Sequence, residues 1–521
     1  MKPFKTFLFL ACTLLVVAAV YLCLYAPDLS IELPKPSPAA PKSEKVQRQK
    51  AVRQQMQKKQ RQQEEKEAKV LADVSRRWET DSLMLLYKYL YRLDTDIFEN
   101  GELADVPLFP FEYDSAGAGK YLLQDFFAKL LALRNPPHAD RIADWYEKPD
   151  FWNDDLAAAR KSFVRVLHYG GSLIENDYVS GTLRQLMQRD FGGAGVGLLP
   201  LFQTNANFIS VKRSGKWHVS QPSKSTPRGN FGVYGASLNP PPVNAFGQKT
   251  ADKGFLRIRI PEKLQQQTLF LEAVLHDEVA GKQIAVTADR HKTPAQVLEV
   301  PGQQRYTYAL PSGAKEVELT LTLSKNACLY ALSLNDTTGV CVDNMSVKGY
   351  EGAVFSPNNR RFLINQMVLL NTGLVLYQFD GSAALRNKDY GSYRVLLMKE
   401  LAYLRMLMPQ TPIIVMGTAS SGDIEQLTDI QRECAFACGC VFWNMNEALG
   451  GGNAMARWAE AQTPLVSRNL SHFTPRGAEW VGKLFYRSFL GEYRRFLLQE
   501  RKRSMLQRAK KLISETPNPA S

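Results

Sequence analysis

A chain of 521 residues, 45% hydrophobic and 22% charged, is long enough for two or three domains and too apolar to be disordered as a whole. Its net charge of +14 lies mainly in two flanks: Lys42–Lys69 carries ten basic and four acidic residues, and Arg494–Lys511 eight basic and one acidic. Residues 70–493 sum to only +1, which argues against a nucleic-acid partner, since that class carries its basic stripe on the folded domain.

The first element is Thr6–Tyr25, twenty residues without a charge, preceded by Lys2 and Lys5. This length spans a bilayer, and no small-residue cleavage box stands near Tyr25-Ala-Pro-Asp28, so the run reads as an uncleaved transmembrane anchor rather than a signal peptide. Residues 1–5 are then cytoplasmic, and the bulk of the chain is expected on the periplasmic side of an inner membrane. Pro34–Pro41 is an extended spacer, and Ser43–Lys69 a polar, helical stalk whose few apolar positions sustain no heptad; together they make a 26–69 connector. The basic flanks stay solvated or touch an anionic membrane surface.

Residues 70–160 read as a helical lead-in, with amphipathic stretches at Leu83–Leu90 and Leu122–Leu131 separated by a loop around Pro107–Phe111. Arg165–Gly170 then reads as a short buried strand and Tyr178–Arg189 as a helix. Between them lies Gly171-Ser172-Leu173, a strand-to-helix turn of the kind that exposes a hydroxyl beside helix N-terminal amides. The alternative is that Ser172 only caps the helix. Phe191–Gly197 is a glycine-rich turn that lacks the Gly-Lys-Ser/Thr of a phosphate loop.

From 202 to 344 the periodicity is two, as in Leu256–Ile260, Tyr306–Leu310 and Glu316–Leu323, which predicts an inserted all-β sandwich or jelly roll. Its Trp217, Phe231 and Tyr234 either pack its core or offer a platform for sugars. Beyond Gly349 the rhythm of strand then helix returns: Leu374–Phe379, a helix Tyr393–Met408, Ile413–Met416, Val441–Trp443 and a last helix Thr474–Leu490, before a basic helical tail, 494–521. These strands and Arg165–Gly170 predict one α/β domain, 161–201 plus 345–493, with a parallel sheet flanked by helices and the β module inserted between its first and second crossover units.

Of the seven cysteines, Cys12 and Cys23 fall in the anchor. Cys328, Cys341, Cys434, Cys438 and Cys440 leave one or two disulfides open, with pairing undecided. A zinc site at the CxxxCxC cluster is the alternative, without a second paired cluster to complete it. No metal and no cofactor are expected.

The blocks His168-Tyr-Gly-Gly-Ser172-Leu-Ile-Glu175-Asn-Asp177, Phe442-Trp-Asn-Met-Asn-Glu447-Ala-Leu-Gly-Gly451 and Asn469-Leu-Ser-His472-Phe-Thr-Pro-Arg-Gly477 together resemble the SGNH/GDSL hydrolases, membrane-anchored envelope members above all. The resemblance covers roughly 160–200 and 340–490. It implies Ser172 as nucleophile and His472 as base, with the amides of Ser172 and Gly349 as oxyanion donors. Three family positions are altered: Gly171 replaces the Asp before the serine, Asp380-Gly-Ser382 replaces Gly-x-Asn, and Asn469 replaces the Asp that orients the base. Ser382 is then the third oxyanion donor, with the Asp380 carboxylate beside it. An Asp-to-Asn change in the orienting role typically costs about 10⁴ in turnover, and loss of one side-chain oxyanion donor roughly 10²–10³. Asp177, Glu447 or a backbone carbonyl are the alternatives for orienting His472.

Two readings follow from the resemblance. The chain is a serine esterase or acyltransferase acting on O-acyl, foremost O-acetyl, groups of an envelope polysaccharide, with a membrane-bound acyl-transfer partner. Alternatively, it is a non-catalytic relative that binds glycan or serves in assembly.

Overall fold

The computed structural model describes residues 103–133, 163–347 and 352–515 apart from short internal gaps, of which 240–253 is the longest, together with helical residues between 54 and 69. The latter belong to a unit of their own, Met1–Asp73; everything below concerns the second unit, Val74–Ser521. The anchor expected at Thr6–Tyr25 and the stretch Leu83–Leu90 lie outside the described residues. Among the described residues, no helix is long and apolar enough to cross a membrane.

Eight strands matter for the site: β1 Phe163–Gly170, β2 Gly195–Leu198, β3 Phe270–Asp277, β4 Cys328–Asn335, β5 Gly339–Ser346, β6 Thr372–Gln378, β7 Ile413–Met416 and β8 Val441–Trp443. Five of them form one sheet in the order β5-β1-β6-β7-β8, every neighbouring pair parallel. In chain order this is 2-1-3-4-5, so the order reverses beside β1, and the crevice at the carboxyl ends of β1 and β6 is where such sheets take ligands.

Both faces of the sheet are covered, which is why its strands are near-continuous apolar runs. Alternate side chains of β1 and β6 point to opposite faces. Val164, Val166, Leu374 and Leu376 join the core under α1 (Ala118–Leu131), α2 (Tyr178–Phe191) and the C-terminal helix Pro475–Glu515. Leu167, Tyr169, Val375 and Tyr377 join the core under α3 (Arg360–Leu369), α4 (Tyr390–Leu407) and α5 (Glu425–Ala437).

The remaining strands make a sandwich. One antiparallel sheet runs Gly302–Ala309, β3, β4, Ser237–Asn239, His218–Ser220, with β2 also paired to β4. The other runs Gln296–Val297, Gln283–Ala288, Glu316–Thr322, Gly254–Arg259, Ser210–Arg213. Leu271, Leu275, Leu332 and Leu334 of the first face Leu256, Ile258, Val286 and Leu319 of the second. Trp217, Phe231 and Tyr234 are all buried, so they pack the interior rather than offer a sugar platform.

The boundaries expected at 202 and 344 are corrected on both sides. β2 already pairs with the sandwich, while β5, expected inside the β module, is the edge strand of the parallel sheet beside β1. The module therefore sits within the first crossover, β1–α2–module–β5. Period-two alternation marks a strand but not the sheet it joins, and only the short loop 336–338 separates β4 from β5. The glycines within β2 follow from the same crowding. Gly195 (φ 88°) and Gly197 (φ 75°) face the Leu334 backbone and the Asp343 carboxylate at distances no Cβ could share.

Candidate active site

Gly170 is the last residue of β1 and pairs with Ser346 on one side and Gln378 on the other. A Cβ there would meet Gln378 O at 2.9 Å, so glycine lets the strands close up just before the turn. Gly171 has open space around it and an ordinary negative φ of −91°. Ser172–Ile174 then forms one turn of 3-10 helix, held by Ile174 N–H to Gly171 O and Glu175 N–H to Ser172 O, each at 3.3 Å. Ser172 is exposed, and its amide, at the head of this turn, has no intrahelical acceptor.

His472 comes from a tight loop before the C-terminal helix, closed by the bridge Val466–Phe473 and by Ser467 N–H to His472 O at 2.8 Å. Its imidazole lies between two hydroxyls: Nε2 is 2.9 Å from Ser172 Oγ, and Nδ1 is 2.9 Å from Ser471 Oγ. With the proton on Nδ1 donated to Ser471, the Nε2 lone pair accepts from Ser172, the arrangement a serine nucleophile needs. Residues 300 positions apart are thus joined at the carboxyl edge of the sheet.

The other expected positions fall as follows. Asn469 does not face the ring; its Oδ1 accepts from Ser467 Oγ (2.6 Å) and from Ser471 N–H (3.2 Å), so it shapes the loop that carries His472. Asp177 grips Arg184 with both oxygens, at 2.7 and 2.9 Å, and neither it nor Glu447 hydrogen-bonds His472. Asp380 follows β6 as Ser172 follows β1, so both lie just past the paired residues Gly170 and Gln378. Ser382 opens the short helix Ser382–Asn387 after it. Gly349 lies outside the described residues.

Beneath the turn runs a buried polar chain absent from the sequence reading. Asn344 Nδ2 donates to Ile174 O (2.5 Å) and to Ser180 Oγ (3.2 Å), and Ser180 Oγ meets His168 Nδ1 at 2.9 Å. His168 Nε2 meets Gln378 Oε1 at 2.8 Å, while Gln378 Nε2 turns to the Met445 sulfur. All the donors agree if Ser180 donates to Nδ1 and Nε2–H donates to Gln378. Burial, the largest cause, lowers the His168 pKa to about 4, so the ring stays neutral and the chain keeps its direction. The 3-10 turn is thereby tied to β5, β6 and α2. The only signal in the sequence was His168 itself, inside the block already singled out.

A second buried cluster lies deeper. Arg165 Nη1 donates to Asp343 (2.8 Å), and Nη2 reaches Asn335 (3.0 Å) and Glu272 (3.3 Å). Leu198 N–H also donates to Asp343 at 2.7 Å. These contacts join β1 and β5 of the parallel sheet to β2, β3 and β4 of the sandwich.

The five described cysteines are free thiols. Cys434 Sγ points to Arg394 O and Cys438 Sγ to the Met398 sulfur, so they do not converge on one point. Burial pushes the Cys440 thiol up to about 12 and Cys434 up to about 11, which keeps them protonated. Among the described residues, no group of three candidate ligands could hold a metal.

No family model and no curated protein matches this chain. A solved peptidoglycan O-acetylesterase does match in structure, with a TM-score of 0.51 and 17% identity, covering 66% of this chain and 94% of its own. The chain has an SGNH-hydrolase-like fold. Other solved structures align more loosely. Protein YXIM from Bacillus subtilis has a TM-score of 0.26 at 9% identity, covering 53% of this chain and 88% of its own. A family two carbohydrate esterase from Cellvibrio japonicus has a TM-score of 0.18 at 14% identity, covering 44% and 86%. The SGNH-like sheet is split in sequence by the sandwich, and Ser172 and His472 meet at its carboxyl edge.

Proposed function

We propose that this chain is an SGNH-type serine ester hydrolase or acyltransferase that removes or moves O-acyl groups, foremost O-acetyl, on an envelope polysaccharide. The hydrogen bond between Ser172 Oγ and His472 Nε2 carries the proposal. Ser172 attacks the acyl carbonyl as His472 Nε2 takes its proton. The same proton passes to the departing sugar oxygen, leaving an acyl-serine. Water, or a second sugar hydroxyl, then gives its proton to His472 and releases the acyl group. The Ser172 amide supports the oxyanion, with Gly349 and Ser382 as further donors by their place in the blocks. The solved esterase of the same fold, which acts on peptidoglycan O-acetyl groups by its name, supports the substrate class. The uncharged Thr6–Tyr25 run supports an anchored enzyme facing the periplasm, near a membrane-bound acyl donor.

One observation favours the non-catalytic reading: Nδ1 of His472 meets a hydroxyl and not a carboxylate. Hydrolysis of p-nitrophenyl acetate by the protein and by its Ser172→Ala variant separates the two. A rate that vanishes in the variant supports the esterase; equal rates in both support a glycan-binding relative.

A further inference from the structure

Three exposed arginines, Arg228, Arg360 and Arg361, gather where the SGNH-like domain meets the sandwich. Arg360 and Arg361 begin α3 and, with Asn359, Ile364 and Asn365, line a shallow open groove of about 350 Å³. The backbone brings Arg228 to the same place. Gly229 N–H donates to Pro357 O at 3.0 Å, and Asn359 N–H donates to Gly229 O at 2.8 Å. Tyr403, whose hydroxyl donates to Asn358 O at 2.9 Å, feels both Arg360 and Arg228: burial raises its pKa and the two guanidiniums oppose that rise.

Among the described residues none of the three forms an ion pair, whereas Arg165, Arg184, Arg257, Arg394 and Arg432 each do. The neighbouring Glu400 does not neutralise them, because its carboxylate is buried and accepts from the amides of Phe355 (2.8 Å) and Ser356 (3.2 Å). Like charges held together without a counter-charge are unfavourable in the free protein, and planar guanidinium forks bind carboxylate or phosphate oxygens two at a time. The segment Gly352–Asn359, which leads into Arg360 and Arg361 and pairs with Gly229, comes after β5, whose last residue pairs with Gly170 just before the nucleophile turn.

We propose that this groove binds the carboxylate or phosphate groups of the polysaccharide whose ester Ser172 attacks, so that the substrate is an acidic polymer. The inference rests on the esterase reading for the word substrate, but the anion site is tested without turnover.

The test is site-resolved, because the basic flanks would also bind polyanions. Full-length Ser172→Ala protein is treated with phenylglyoxal, and the modification of each arginine is followed by peptide mass spectrometry. Trigalacturonate, a glycerol-phosphate oligomer, neutral maltotriose and phosphatidylglycerol vesicles are the added probes. The expected result is protection of Arg228, Arg360 and Arg361 by roughly tenfold with one acidic oligomer, about the worth of one charge-assisted hydrogen bond. Which oligomer protects identifies carboxylate or phosphate. Maltotriose should leave the rates unchanged, as should every probe at the exposed Arg290. Protection by neither oligomer, equal protection by maltotriose, or protection by vesicles alone overturns the proposal. If protection is seen while wild-type protein hydrolyses no ester, the esterase reading fails and the anion site stands. An Arg360→Gln/Arg361→Gln variant should lose binding of the protective oligomer by a similar factor in calorimetry.

Discussion

Ser471 Oγ lies 2.9 Å from His472 Nδ1, on the side of the ring where a serine-hydrolase triad holds a carboxylate. A hydroxyl there fixes the tautomer but offers no negative charge to the imidazolium formed during acyl transfer. Ser471→Asp should therefore raise p-nitrophenyl acetate turnover by roughly 10- to 10³-fold, part of the factor of about 10⁴ that a triad carboxylate supplies. Asn469→Asp, which restores the family residue, should gain less than about tenfold, because the side chain at 469 holds Ser467 and the Ser471 amide. A larger gain from Asn469→Asp than from Ser471→Asp would contradict the geometry of this loop.

His168 links stability to pH. Its folded-state pKa is about 4, below the ordinary value near 6.5, because burial penalises the charged ring. The unfolded chain thus binds the proton first as pH falls. The stabilisation is complete above pH 6.5 and is lost progressively down to about 4, a change of about 3 kcal/mol. In urea titrations, His168→Gln should be less stable than the wild type at pH 7 and should lose less stability between pH 6.5 and 4. Parallel slopes for the two proteins would mean that another group carries the dependence.

Ser172 and His472 were legible because each sits in local grammar: a strand, a turn and a helix for one, and a loop before the last helix for the other. Ser471, the group at Nδ1, was quoted in the same block yet hidden, since nothing in Asn469-Leu-Ser-His472 says which side chain turns toward the ring. His168, Ser180, Asn344 and Gln378 were hidden for a different reason. Their signal is the register of β1 with β5 and β6, and that pairing crosses an insertion of more than a hundred residues. The same long separation concealed β5 as a strand of the parallel sheet. Alternation in the sandwich strands, by contrast, is a local property and was readable directly.

Arg165 supplies a prediction about how the two sheets hold together. It is fully buried between Asp343 and Glu272, and five residues further along the same strand lies Gly170. Arg165→Met leaves the buried Asp343 and the partly buried Glu272 without their cation and should cost about 3–5 kcal/mol in urea denaturation. Arg165→Met/Asp343→Asn removes one of those charges while keeping an acceptor for the Leu198 amide, and should be more stable than the single variant. If the double variant is the weaker one, Asp343 is held chiefly by something other than Arg165.

Two glycines next to the dyad should answer oppositely to substitution. Gly171 has no atom within 4 Å of where a Cβ would stand, and its φ of −91° suits any residue. Gly171→Asp, the residue the family carries before its serine, should change stability by less than about 1 kcal/mol. Gly477 has no such room: a Cβ there would run into the backbone carbonyl of Leu465, at the base of the loop that holds His472. Because Thr474 N–H donates to that same carbonyl at 2.9 Å, relief of the clash must open the loop. Gly477→Ala should cost about 1–3 kcal/mol through overpacking. It should also lower ester turnover more than it raises KM, since the base moves while the surface around Ser172 does not. Full activity in Gly477→Ala with a lowered melting temperature would show that the loop yields without carrying His472 away from Ser172.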